Sequence, residues 1–146
     1  MLDGPAKPRL GALLQSAQSA WQHAVRKELD RRQAPALGAA AELLTHISLS
    51  GLSQSLLAER LGMSKQAVQQ SLDQLEHLGL VRRDPDPVDK RAKYAVLTEA
   101  GLFALEARRD AEREIERQWE EELGKKTVNR LRKALRKTGR VPSDQA

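Results

Sequence analysis

Apolar residues recur at intervals of three and four over most of this chain. Leu10, Leu13, Leu14, Ala17, Trp21, Ala24, Val25 and Leu29 keep that spacing, which predicts one long amphipathic helix over about 9–33. Pro35 interrupts it and suits the first turn of a second helix better than the interior of the first. Leu37, Ala40, Ala41, Leu44 and Ile47 carry that second helix to about Ser48, and Gly51 breaks the chain. Three further helix starts share one device. Ser53, Ser64 and Thr98 each offer an N-cap hydroxyl. An apolar residue before each can staple to one five positions on: Leu52 to Leu57, Met63 to Val68, and Leu97 to Leu102. The expected helices cover about 53–61, 64–78 and 98–122, with a last one over about 125–137 on Val128, Leu131 and Leu135. Only Leu80–Arg83 and Lys93–Leu97 read as strands. Pro85 and Pro87 lie between them, so this is a hairpin with a long loop. The fold class is mainly α with a small β-hairpin, in the order four helices, one hairpin, two helices.

At 146 residues, 40% hydrophobic, the chain can build one compact domain with a real core. It has no Cys, which excludes disulfides, thiolate metal sites and a cysteine nucleophile or redox switch. No stretch approaches a membrane span, and Met1–Leu10 lack the apolar run of a secretion signal, so a cytoplasmic protein without a membrane partner is expected. There is no nucleophile elbow, Gly-rich phosphate loop or metalloprotease motif. His23, His46 and His77 fall on three different helices with no i,i+4 pair. Neither an enzyme nor a metal or other cofactor is expected.

The net charge is +5, and its placement says more than its size. The segment 36–81 is nearly neutral and rich in Leu and Ala. Five cations, Arg82, Arg83, Lys90, Arg91 and Lys93, crowd the hairpin. Within 123–146, eight more (Lys125, Lys126, Arg130, Arg132, Lys133, Arg136, Lys137 and Arg140) face a single acid, Asp144.

Gln54–Asp73 is the informative unit. A short helix ends at Leu61, Gly62 makes the turn, and Ser64 caps the next helix, a spacing that sets two helices at the steep angle of a helix-turn-helix. Turned at 100° per residue, the second helix puts Val68, Ser71, Leu72, Leu75 and Leu78 on one side. Lys65, Gln66, Gln69, Gln70 and Asp73 fall on the other. Gln can pair bidentately with adenine, and Lys can donate to guanine or to phosphate. The capped helix start offers free N–H groups to phosphate. Asp73 is harder to place, since phosphates repel a carboxylate there. A solvated helix face is the plain alternative. The hairpin adds weight: a stiff basic loop can lie along the backbone and put an arginine into the minor groove. Asp89 is positioned to orient the Arg91 guanidinium by a bidentate pair. A charged surface hairpin that merely aids solubility is the alternative reading.

These residues resemble the multiple-antibiotic-resistance-regulator (MarR) family of winged helix-turn-helix transcription factors. The resemblance is carried by Leu56-Leu57-Ala58-Glu59-Arg60-Leu61-Gly62-Met63-Ser64-Lys65-Gln66-Ala67-Val68 and by Leu75-Glu76-His77-Leu78-Gly79-Leu80-Val81-Arg82-Arg83. Asp84-Pro85, Asp89-Lys90-Arg91-Ala92 and Leu97-Thr98-Glu99-Ala100-Gly101 complete it. It implies a single domain in which 36–97 form the winged helix-turn-helix, with the motif at 53–78 and the wing at 80–97. Residues 9–33 and 98–137 would be dimerisation helices. It also implies a homodimer that places each second motif helix in a major groove of double-stranded DNA and each wing in the flanking minor groove. Many members are repressors released by a small-molecule effector. The reading residues would be Ser64, Lys65, Gln66, Gln69 and Gln70, and Asp89 and Arg91 the wing's Asp-x-Arg motif. Lys90 and Lys93 of the basic wing, and Ser53 and Gln54 as phosphate contacts at the motif start, are further candidates from the residues themselves.

The ends agree with a two-fold dimer. The apolar stripes of the two long helices exceed what the central unit can cover, and Trp21 and Trp119 sit on them. Leu10, Leu13, Leu14, Trp21, Ile115, Trp119, Leu131 and Leu135 are the candidate interface residues, with intrachain core as the alternative for the two Trp. Such symmetry predicts a pseudopalindromic operator with half-sites about 10 bp apart. The cations of 125–140 would answer the acids of 106–122 within the dimer or touch DNA. With one Phe and one Tyr, an aromatic pocket for a phenolic effector is hard to build. A winged-helix protein-interaction module and a sequence-indifferent DNA binder remain the alternative functions.

Overall fold

The structure is a computed structural model and describes residues 7–47 and 51–138. Its elements in order are α1 (Leu10–Arg31), α2 (Ala40–His46), β1 (Leu52–Ser53), α3 (Gln54–Leu61) and α4 (Lys65–His77). They continue with β2 (Val81–Pro85), β3 (Lys93–Leu97), α5 (Glu99–Leu123) and α6 (Lys125–Thr138). The chain is thus mainly helical with a small antiparallel wing. It divides into two compact units, Arg26–Arg109 and a second formed by Met1–Val25 with Asp110–Ala146.

The unit Arg26–Arg109 holds the larger core. Leu43, Leu44, Leu57, Val68, Leu72, Leu75 and Val81 are fully buried in it. They come from α2, α3, α4 and β2, so the pair α3–α4 is clamped from behind by α2 and from the side by the sheet. The hydroxyl caps form as the spacing predicts. Ser53 Oγ accepts from the Leu56 N–H at 3.2 Å, and Ser64 Oγ from the Ala67 N–H at 3.1 Å. Each such cap is worth about 1 kcal/mol. Thr98 does more. Its hydroxyl accepts from the Gly101 N–H at 3.0 Å and donates to the Gly79 carbonyl at 2.6 Å, while its N–H donates to the Leu80 carbonyl at 3.1 Å. The start of α5 is therefore pinned to the end of the helix-turn-helix.

Three expectations change. The second helix begins at Ala40, not just after Pro35, because Gly38 takes a left-handed φ of +54° that no continuing helix allows. Leu37 and Ile47 are buried regardless, and the expected end at Ser48 lies outside the described residues. The first helix stops at Arg31, since Gln33 also has φ +54° and the Ala34 N–H turns back to the Leu29 carbonyl. The hairpin is not the whole sheet. Leu52 and Ser53 pair antiparallel with Ala95 and Tyr94, giving the order β1-β3-β2. Pro85 fits because β2 is an edge strand, where a missing N–H costs no ladder bond. At the end of α1, Glu28 is 6% exposed and accepts from Arg31 at 2.7 and 2.9 Å and from Arg32 at 2.7 Å. Those bonds hold its carboxyl below the ordinary range.

In the second unit the N- and C-terminal helices meet. Trp21 and Trp119 pack edge to face with centroids 5.3 Å apart and planes at 79°, a geometry favoured by the ring quadrupoles. Ile115 and Val128 are buried. The charges of α5 pair at i,i+3 as well as i,i+4: Arg113 with Asp110, and Arg117 with both Glu114 and Glu121. Arg132 of α6 reaches Glu116 of α5 at 3.3 Å. Leu10, Leu13, Leu14, Leu123, Leu131 and Leu135 stay exposed, between 38% and 71%. No helix among the described residues is long and apolar enough to cross a membrane.

Candidate nucleic-acid interface

Gly62, with φ +61°, closes α3 by donating its N–H to the Ala58 and Glu59 carbonyls, and α4 starts three residues later. The buried side of α4 is Val68, Ser71, Leu72 and Leu75. Leu78 is a correction: it is the C-cap residue, 48% exposed, because the helix ends one residue before it. Lys65, Gln66, Gln70 and Asp73 are exposed and Gln69 is half-buried. Ser64 sits at the exposed start of this face, where its hydroxyl is spent on the cap.

The wing is held by acids at its tip. Asp86 Oδ1 accepts from the Val88 and Asp89 N–H groups at 2.8 and 3.1 Å. The Asp86 N–H donates to the Ala92 carbonyl and the Ala92 N–H to the Asp89 carbonyl, both at 2.9 Å. With Pro87 between these partners, the loop is preorganised as the sequence suggests, but one contact differs. Asp89 accepts from the backbone N–H of Arg91 at 3.0 Å, so it shapes the main chain under Arg91; the guanidinium pair expected from the sequence is not the bond recorded. Asp89, Lys90, Arg91 and Lys93 are all exposed.

Two of the five wing cations are engaged within the chain. Arg82 donates to Asp84 at 3.0 Å. Arg83, whose side chain is 14% exposed, lies across the outer face of α4. It donates to Asp73 Oδ1 at 2.6 Å and, through Nε, to Glu76 Oε2 at 2.9 Å. The hydrogen bond from Arg83 is the main reason the Glu76 carboxyl sits below its ordinary range, and Glu76 in turn raises Arg83. Asp73, awkward in the sequence, also accepts from Gln69 Nε2 at 2.9 Å. The sequence marks Asp73 as an awkward acid and Arg83 as a hairpin cation but does not join them, and it gives Glu76 no role. Their one signal is the i,i+4 pair Gln69–Asp73, since Arg83 comes from another element.

The faces converge on an open cleft of about 350 Å³. Lys65 and Gln69 of α4, Ser53 and Gln54 at the start of α3, and Arg91 and Lys93 of the wing all line it. Gln66, Gln70, Asp89 and Lys90 lie outside that lining. A cleft walled by cations, amides and hydroxyls suits a polyanion with hydrogen-bonding edges. Among the described residues there is no group of three or more His, Asp or Glu that could hold a metal ion.

Comparisons with known proteins agree. The model of the MarR family matches residues 29–92. The transcriptional regulator HosA of Escherichia coli O111:H- is 32% identical over 99 residues, 68% of this chain and 68% of that protein. Among solved structures, a probable transcriptional regulator from Pseudomonas aeruginosa is similar at TM-score 0.73 and 25% identity, over 92% of this chain and 99% of that one. The S. aureus MepR–DNA complex has the same fold at TM-score 0.73 and 22% identity, over 90% and 97% of the two chains.

Proposed function

The chain belongs to the MarR family, and on that footing we propose that it is a sequence-specific regulator that binds double-stranded DNA as a homodimer. One observation carries the reading: Lys65 and Gln69 of α4 and Arg91 and Lys93 of the wing open on the same cleft. In the proposed complex α4 enters a major groove with its N-terminal half, where Gln69 and Lys65 meet base edges. The Ser53–Gln54 corner meets phosphate, as a helix start does. The wing follows the backbone and Arg91 enters the minor groove. The MepR–DNA complex, a protein of the same fold holding DNA, supports DNA as the ligand.

The dimer rests on area. Residues 7–20 are exposed throughout, with Leu10 71%, Leu13 49% and Leu14 44% open to solvent. Leu131 and Leu135 of α6 are likewise uncovered. Burying a Leu is worth about 1.5–3 kcal/mol, so a second copy that covers these stripes supplies a substantial driving force. Ile115 is already covered by its own chain, and Trp21 and Trp119 are half-buried against each other, so the exposed leucines are the proposed interface. Repression of a pseudopalindromic operator, relieved by a small-molecule effector, belongs to the same reading.

Selection from random double-stranded DNA at near-physiological salt tests it. Recovery of a palindrome with half-sites about one turn, ~10 bp, apart is the expected result. Recovery without a motif would mean a sequence-indifferent basic binder. No recovery at any effector-free concentration would favour a protein-interaction module.

A further inference from the structure

A glutamine is an ambiguous reader. Its amide has two ends of nearly equal size and opposite chemistry, one carbonyl acceptor and one NH2 donor. A Gln free to flip presents either end to a base and discriminates poorly. Gln69 is not free: its Nε2 donates to Asp73 Oδ1 at 2.9 Å. An ionised carboxylate only accepts, so a flipped amide would set Oε1 against a carboxylate oxygen. Asp73 alone would be a weak jig, since its side chain is 52% exposed. It is braced by Arg83 of the neighbouring strand, which binds the same Oδ1 at 2.6 Å. Arg83 is fixed in turn by its second hold on Glu76, the Nε bond at 2.9 Å. The chain Glu76–Arg83–Asp73–Gln69 therefore runs from the last turns of α4, through Arg83 of the wing's first strand, back to the reading face.

We infer that Asp73, braced by Arg83, is a positioning residue that fixes which edge of the Gln69 amide faces DNA and thereby selects adenine over guanine at one operator position. This rests on the DNA-binding reading above and deepens it. With one N–H committed to Asp73, Gln69 keeps Oε1 and a second N–H. Adenine offers the matching pair in the major groove, the N6 donor and the N7 acceptor. Guanine offers two acceptors, O6 and N7, and its O6 would face Oε1 without a proton between them. The arrangement also explains why an acid is tolerated beside phosphate. Arg83 offsets its charge.

The test is the same random-DNA selection run on wild type, Gln69→Ala, Asp73→Ala and the double variant. Asp73→Asn, which keeps the shape but can both donate and accept, serves as a second single variant. The position of interest is the one whose preference Gln69→Ala flattens, and it should be adenine in the wild type. Asp73→Ala should lower the adenine-over-guanine preference there by roughly tenfold. Asp73→Asn should lower it less. Binding to random DNA should tighten, because a negative charge has left the interface. A residue that merely supported the fold would weaken all binding instead. In the double variant, loss of Asp73 should change nothing further at that position. Two results overturn the inference alone: an adenine preference that survives Asp73→Ala within about twofold of wild type, or a Gln69-dependent position that is not adenine. A wild type that yields no motif removes the DNA reading itself, and this inference with it.

Discussion

Replacing Gly101 by alanine sets two effects of opposite sign against each other. Gly101 lies in the first turn of α5, and alanine improves an unhindered helix position by about 1 kcal/mol. Propensity alone therefore promises a more stable protein. The packing says otherwise. A Cβ on Gly101 would stand 1.9 Å from the Leu80 carbonyl oxygen and 2.9 Å from its carbon. Both are backbone atoms, which no rotamer change can move aside. Relief requires α5 to separate from Leu80 by more than about 1 Å, and overpacking of that kind costs about 1–3 kcal/mol. The separation also strains the two bonds that pin this corner, from the Thr98 N–H to Leu80 and from the Thr98 hydroxyl to Gly79. Each contributes about 1 kcal/mol. Clash and lost bonds outweigh propensity, and a net loss of about 2–4 kcal/mol is expected. Gly11, also helical, meets nothing within 4 Å, so Gly11→Ala should be neutral or stabilising by up to about 1 kcal/mol. Urea unfolding followed by far-UV circular dichroism, at one fixed protein concentration, measures both. A Gly101→Ala midpoint at or above wild type would refute the packing argument.

Further outcomes follow from the same contacts. Because Arg83 holds the Glu76 carboxyl below the ordinary value of 4.5, the ionised form stabilises the fold above that pH, and the contribution is lost as pH falls through the lower folded-state value. Glu76 is exposed enough to be screened, so Glu76→Gln should cost at most about 1 kcal/mol near neutrality. Urea midpoints of the two proteins should draw together in acid, and a gap that widens there would contradict the sign. Arg91→Ala should weaken binding to every DNA sequence and lower the slope of log affinity against log salt by about 1; an anisotropy titration across salt concentrations reads this, and an unchanged slope would place Arg91 off the DNA. Leu13→Glu alters a side chain already 49% exposed, so the monomer fold should survive while self-association weakens by tenfold or more, roughly the loss of one buried Leu. Sedimentation equilibrium checks it, and an undiminished dimer would move the interface away from α1.

Much of this architecture could be read along the chain because its signals are local. As caps, the hydroxyls of Ser53, Ser64 and Thr98 act within three residues of themselves, and the Gly62 turn needs no knowledge of the rest of the fold. The two-residue strand Leu52–Ser53 escaped because alternation needs several residues to show, and its partner Ala95 lies over forty positions on. The start of the second helix differs from the sequence expectation because Pro35 is a permissive signal, whereas the left-handed φ of Gly38 is decisive and silent in sequence. The proposed reading face is legible in the sequence as a list of residues and not as a device. A helical wheel treats α4 alone, so it leaves Asp73 without a counter-charge; only Arg83, brought across by β2, gives that carboxylate a cationic partner. Likewise the sequence pairs Asp89 with a guanidinium, whereas the turn at the wing tip places it closer to the backbone N–H of Arg91.

The decisive titration compares a selected palindromic duplex with a scrambled duplex of the same composition, at about 0.15 M salt, with the mass of each complex measured by sedimentation. Two chains on the palindrome, bound about 10³-fold or more tighter than on the scramble, is the expected result. Equal affinities on both duplexes, falling steeply with salt and without a fixed stoichiometry, would contradict a dimeric sequence reader and leave only its charge.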